Sequence, residues 1–216
     1  MYDLAYLHYL YGDYDEADKW FQRGVDASEL AGDRTGAYIS QLVALKVRLF
    51  RQAVDPEAFR AIVTEALVFF RSDAARKQHA ERWVMNCHAY LLDLAVLTDD
   101  PDAARTELET LEEDPWVQRF DRSDLVARWR ARTALVSGDA ARACELFEQR
   151  LRSELTDPPP PRDELARDLY DYGCALVAHG DVGEARRIWR LGLRCPDNAA
   201  SWPWKPRIAQ KLETLG

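Results

Sequence analysis

The stretch YDYGCALVAHGDVGEARRIWRLGLRCPDNAASW, residues 170–202, decides the fold of this chain. Its apolar and small residues recur at three- and four-residue spacing in two runs, which is the pattern of two amphipathic helices. Gly180 supplies the turn between the runs, and Pro196 stops the second run. Gly173 and Ala185 are small enough to let the two helices approach closely. The stretch therefore predicts a tight helical hairpin.

This hairpin resembles the tetratricopeptide repeat, a pair of antiparallel helices with Trp, Leu-Gly, Tyr, Ala, Phe and Pro at set offsets. The matching positions are Tyr172-Gly173, Leu176, Ala185, Trp189 in place of Phe, and Pro196 about one residue early. Further matches are Gly12-Asp13 with Ala17 and Phe21, Gly138-Asp139 with Ala143 and Phe147, and, less well, Asp99-Asp100 with Ala104 and Leu108. The match near Ala58 and Ile62 is poor.

The alanines that mark successive repeats are 41, 46, 39 and 42 residues apart, at Ala17, Ala58, Ala104, Ala143 and Ala185. Since the usual period of the family is about 34 residues, the helices or loops are longer than standard. The chain is thus similar to the divergent, long-helix repeats of bacterial regulators and signalling proteins. The resemblance implies an all-α, right-handed superhelix (α-solenoid) of about five antiparallel helical hairpins plus a C-terminal capping helix.

The predicted hairpins cover about 1–31, 34–71, 73–114, 121–155 and 162–195, and the capping helix covers 205–215. A single hairpin cannot bury its apolar face alone, so stacked repeats predict one continuous TPR-like domain, 1–216. The four prolines of 158–161 cannot be helical, and they predict a stiff spacer before the last hairpin.

Composition limits the compartment and the partners. Hydrophobic residues make up 47% of the chain, which is typical of a folded globular protein. No apolar run approaches the roughly 18 residues that span a membrane, and the N-terminus lacks the pattern of a signal peptide. Four cysteines without a C-x-x-C pair favour reduced thiols and a cytoplasmic location. The net charge of −8 argues against a nucleic-acid partner.

Signatures of chemistry are missing from the sequence. No P-loop, G-x-G-x-x-G or G-x-S-x-G motif occurs, and no two histidines have the spacing of metal ligands. We therefore expect no catalytic residues, no cofactor and no metal, and the chain is not predicted to be an enzyme.

The resemblance implies a function on the concave face, where the first helix of each repeat lines a groove that binds peptides. The positions carried over by alignment are Tyr2, Tyr6, Tyr9, Asp93, Arg128, Arg132, Arg167 and Tyr170. Tyrosine and arginine are the side chains that most often anchor interfaces. The sequence thus favours a non-catalytic scaffold that binds a protein or peptide. Two alternatives stay open: a ligand- or peptide-sensing domain of a bacterial regulator, and an enzyme with an unrecognised site.

Arg128 and Arg132 allow two interpretations. They are four residues apart on one predicted helix, so their side chains share one face. In the first interpretation they form a basic pocket, near Arg167 and Tyr170, that binds a carboxylate ligand. In the second they pair with acids of a neighbouring helix, such as Asp168 or Asp171, and only stabilise the stack.

Charge and aromatic residues also predict self-association. Residues 1–114 hold 12 basic and 22 acidic side chains, whereas residues 115–216 hold 17 and 15. Together with Tyr2, Tyr6 and Tyr9 at an incompletely covered first helix, this asymmetry predicts a homodimer.

Overall fold

The computed structural model describes residues 2–10, 13–50, 55–72, 80–160, 164–196 and 204–215, apart from the side chains of Tyr2, Tyr6, Leu10 and Phe50. These residues form twelve α-helices and no strand. The prediction of an all-α fold is confirmed. By internal contacts the chain divides into two compact units, unit 1 (Met1–Asp121) and unit 2 (Arg122–Gly216). One continuous domain stays a prediction.

Unit 1 contains seven of the described helices: α1 (Tyr2–Leu10), α2 (Tyr14–Leu30), α3 (Arg34–Phe50), α4 (Pro56–Arg71), α5 (Ala80–Leu97), α6 (Pro101–Glu112) and α7 (Pro115–Arg119). Unit 2 contains α8 (Ser123–Val136), α9 (Ala140–Leu151), α10 (Leu165–His179), α11 (Val182–Leu193) and α12 (Lys205–Thr214). Within each unit, most helices pack against the next helix of the sequence, as helical hairpins do.

An aspartate caps the second helix of each predicted hairpin. Its side chain accepts a hydrogen bond from a backbone N–H of the first turn, which satisfies a group that has no partner inside the helix. The capping residues are Asp13, Asp55, Asp100, Asp139 and Asp181. Four residues after the cap, four of these helices place a fully buried alanine: Ala17, Ala104, Ala143 and Ala185. A methyl group there lets the two helices of a hairpin lie close together.

Helix α4 is the exception, and it corrects the alignment of the second repeat. Four residues after Asp55 stands Phe59, which is fully buried, whereas Ala58 is exposed. A phenyl ring at this position keeps the preceding helix at a distance. Accordingly, α3 packs mainly on α2, and α4 packs mainly on α5. The poor sequence match near Ala58 reflects this different packing.

Gly173 and Trp189 form the closest approach in unit 2. A Cβ atom added at Gly173 would lie 2.1 Å from Nε1 of Trp189, so no larger residue fits there without movement. The Trp189 indole is buried, and its Nε1–H donates to the carbonyl of Tyr170 at 3.1 Å. The Trp that replaces Phe in the repeat pattern is therefore accommodated by a glycine on the facing helix.

Left-handed residues end the first helix of three hairpins. Gly138 and Gly180 have φ of 79° and 98°, as expected for glycine in such a turn. The equivalent position in unit 1 is Asp99, with φ of 57°. An aspartate tolerates this conformation less well than glycine, because its Cβ crowds the backbone.

The third hairpin is predicted to end at residue 114, and helix α7 was not predicted. Asp114 instead caps a short new helix and accepts hydrogen bonds from the N–H groups of Trp116 and Val117, at 2.8 and 3.2 Å. Helix α5 is described from Ala80 onward, so its predicted start at 73 lies outside the described residues. Among the helices described here, none combines the length and the apolar character that crossing a membrane requires.

Candidate functional site

Seven charged side chains meet inside unit 2 and form what we call the ionic cluster. They come from α8, α9, α10 and the residue before α10. Five of them are buried: Arg128, Arg132, Arg167, Asp168 and Asp171. The other two, Arg150 and Glu164, are partly exposed. Charged groups are seldom removed from water unless they are paired. The cluster therefore joins three helices through ion pairs.

Asp168 is the centre of the ionic cluster and is 0% exposed. Its Oδ1 lies 3.2 Å from Nε of Arg128 and 3.1 Å from Nη2 of Arg132. Its Oδ2 lies 3.0 Å from Nη1 of Arg150. One carboxylate thus faces three guanidinium groups, and the contacts connect α10 to both α8 and α9.

Two further carboxylates balance these arginines. Oε2 of Glu164 accepts from Nη1 of Arg128 at 2.5 Å, and Oδ2 of Asp171 accepts from Nε of Arg132 at 2.7 Å. Burial raises the pKa of Asp171, while the neighbouring Arg132 and Arg167 act in the opposite direction. The burial cost of this carboxylate is thus only partly offset by its partners.

These contacts bear on the two interpretations of Arg128 and Arg132. Both side chains are buried, at 8% and 1% exposure, and both face acids of the same unit. The geometry is that of the second interpretation, in which the arginines hold the helices together. The expected basic pocket is filled by Asp168, Asp171 and Glu164.

Arg167 and Tyr170, also predicted on the concave face, lie beside α12. Two guanidinium groups lie close to the Trp204 ring, with the Cζ of Arg167 5.2 Å and the Cζ of Arg207 4.6 Å from its centroid. The ring of Tyr170 is 5.3 Å from that of Trp204, and burial raises the pKa of the Tyr170 hydroxyl. These side chains attach the last helix to α10.

The predicted site residues of unit 1 are placed differently. The Tyr9 ring is half-buried, lies 5.9 Å from the ring of Tyr14 and packs against the apolar residues of α1 to α3. Asp93 is buried within α5. The side chains of Tyr2 and Tyr6 lie outside the described residues.

A second buried polar group, in unit 1, was not predicted. His88 lies between α4 and α6: its Nε2 is 2.8 Å from Nη2 of Arg71, and its Nδ1 is 2.6 Å from Oε2 of Glu107. A guanidinium only donates, so Nε2 accepts and Nδ1 carries the proton that goes to Glu107. The histidine thus joins α4, α5 and α6. In the sequence, His88 has no second histidine at a metal-ligand spacing, so the pattern gave no reason to assign it a role.

An open groove of about 480 Å³ lies on another face of unit 2, and we call it the α9–α11 groove. It is lined by Ala141, Cys144, Glu145, Glu148, Leu155, Tyr172, Leu176, His179, Asp181, Glu184 and Arg187. Sequence reasoning missed it, because Tyr172 was assigned only to a packing position of the repeat. Four carboxylates and one guanidinium make the lining acidic.

Three of the four carboxylates in the α9–α11 groove are engaged. Glu145 accepts from Arg142 at 2.9 Å, and Glu184 accepts from Arg187 at 2.8 and 2.6 Å. Asp181 caps α11. Glu148 is different, because it forms no ion pair or hydrogen bond with any described residue.

Two thiols of unit 2, those of Cys144 and Cys174, are weak nucleophiles. Burial, followed by Asp181 and Glu148, raises the pKa of Cys144 in the groove. Burial also raises the pKa of Cys174 to about 12. Both groups are protonated near neutral pH, and the thiolate is the form that reacts or binds metal. Within the described ranges, no three His, Cys, Asp or Glu side chains are grouped as metal ligands.

Comparison with protein-family models, with curated proteins and with solved structures found no match to this chain.

Proposed function

We propose that this chain is a non-catalytic scaffold of the tetratricopeptide-repeat type, a right-handed superhelix of helical hairpins that binds a protein or peptide segment. The repeated motif of a capping Asp followed four residues later by a buried Ala supports the repeat assignment. The four free cysteines suit work in the reducing cytoplasm.

The observation that carries the binding function is the α9–α11 groove. Its volume of about 480 Å³ is suited to several side chains of a bound segment. Its lining includes charged side chains and Tyr172, a residue type that anchors interfaces. The neighbouring ionic cluster keeps α8, α9 and α10 in place, so the groove is largely formed before a ligand arrives. Such preorganisation lowers the entropy cost of binding.

The test is an unbiased peptide selection on the immobilised full chain. A library of random peptides is displayed, bound sequences are recovered, and the enriched peptides are synthesised and titrated against the folded protein by calorimetry. We expect saturable binding of a shared sequence motif, with each peptide recovered chemically unchanged. Failure to enrich any motif, or conversion of the peptides to products, would contradict the proposal.

A further inference from the structure

The α9–α11 groove is lined in part by Tyr172, whose hydroxyl is a polar group that the fold itself does not use. The Tyr172 side chain is only 5% exposed, and its ring stacks on that of Phe147 at 5.8 Å. Its hydroxyl makes no hydrogen bond with any described residue. It lies within electrostatic reach of Glu148 and Glu184, which also line the groove. A hydroxyl that has no partner among the described residues, on a nearly buried side chain that lines an open groove, is a hydrogen-bonding position that a ligand can use.

The charge of the groove selects the ligand. Among the four carboxylates of the groove, Glu148 is the one without an ion pair or hydrogen bond to a described residue, and Tyr172 lines the same groove. Burial and the nearby carboxylates raise the pKa of Tyr172 to about 12, so the hydroxyl stays neutral and keeps an acceptor lone pair. An incoming N⁺–H group can donate to both oxygens, whereas a carboxylate ligand would be repelled.

We propose that the α9–α11 groove binds a lysine or arginine side chain of a basic peptide segment, with Glu148 as the counter-ion and the Tyr172 hydroxyl as a second acceptor. This assignment rests on the proposed scaffold function and names the chemistry of its partner. It reverses the charge expected from the sequence, since the arginines that predicted an acidic ligand are neutralised inside unit 2.

Two substitutions test the proposal without disturbing the fold. Glu148→Gln removes a charge from an exposed side chain, and Tyr172→Phe removes only the hydroxyl and keeps the ring on Phe147. Glu109→Gln is the matched control, because it makes the same charge change at an exposed residue of α6 in unit 1. The control accounts for general attraction of cations to a protein of net charge −8.

The probe is a fluorescein-labelled peptide whose only charged side chains are lysines, titrated at physiological salt by fluorescence anisotropy. Its counterpart carries acetylated lysines. We expect the lysine peptide to bind at least about tenfold tighter than the acetylated one, and Glu148→Gln to weaken binding about tenfold. Tyr172→Phe should weaken it about threefold, and Glu109→Gln should leave it within about twofold.

Equal affinity for the two peptides, or an unchanged affinity of Glu148→Gln, overturns the proposal. Spermidine, a free polyamine, is added as a competitor. If it displaces the lysine peptide at an equal concentration of positive charge, the assignment to a peptide is overturned. Failure of this inference can be distinguished from failure of the proposed scaffold function. If the selected peptides bind but contain no basic residues, the scaffold function is supported and only this inference is contradicted.

Discussion

The two units hold their helices together by different means. In unit 1, α3, α4 and α5 meet in an aromatic cluster that includes Tyr38, Phe59, Phe69, Phe70 and Tyr90. In unit 2, α8, α9 and α10 meet around Asp168 and the arginines that face it. Apolar packing is non-directional and tolerates small shifts, whereas buried ion pairs fail when one partner is removed.

The aromatic rings also fit the irregular part of the repeat pattern. Phe59 of α4 stands where α2, α6, α9 and α11 have a buried alanine. Phe59 belongs to a cluster rich in large side chains, in which Phe70 stacks on Trp83 with ring centroids 6.1 Å apart. A departure from the repeat motif in one helix is therefore accompanied by a different kind of core.

The largest effect is expected from breaking the ionic cluster. Asp168→Ala leaves the guanidinium groups of Arg128, Arg132 and Arg150 without their shared carboxylate, so it should destabilise unit 2 by about 3–5 kcal/mol. Hydrogen exchange read by mass spectrometry should show faster exchange in peptides from 122–216. Asp102→Ala is the control, since Asp102 pairs with Arg105 at the surface with 88% of its side chain exposed, and it should change little. Equal effects of the two substitutions would show that the cluster is not what holds unit 2.

The aromatic core of unit 1 should respond to loss of volume. Phe59→Ala removes a fully buried ring and leaves a cavity, so we expect a loss of about 3 kcal/mol. Faster hydrogen exchange should appear in peptides from α4 and α5. Val68→Ala on the exposed face of the same helix provides the comparison, since Val68 is 67% exposed. A response as small as that of Val68→Ala would mean that Phe59 does not support the cluster.

The smallest effects are expected from substitutions in the turns that follow α5 in unit 1 and α8 in unit 2. Asp99→Gly replaces a left-handed aspartate with the residue found at Gly138 and Gly180, and it should stabilise unit 1 by about 1 kcal/mol. The reverse exchange, Gly138→Ala, should destabilise unit 2 by a similar amount, because it adds a Cβ at φ of 79°. Urea unfolding followed by circular dichroism measures both shifts. A lower midpoint for Asp99→Gly would mean that the aspartate side chain supports the turn.

Helix boundaries could be predicted from the sequence because the signals are local. A capping aspartate, a proline in the first turn and a glycine at the end act within a few residues. The same rule applied to Asp114-Pro115 would have found α7. The sequence also reveals the buried alanines, since each stands four residues after its cap. It does not reveal Phe59 as the equivalent in α4, because the ring breaks the motif on which the alignment rests.

The candidate site could not be predicted from local sequence signals. Arg128 and Arg132 look the same in the sequence whether they face solvent or Asp168, since the acids that neutralise them are 36 to 39 residues away. The α9–α11 groove likewise joins side chains from three helices. Local backbone chemistry thus determined where the helices begin and end. Only the packing of those helices decided which charges are buried in pairs and which, such as Glu148, form no pair among the described residues, because ion pairing and burial depend on distances between segments that are remote in the chain.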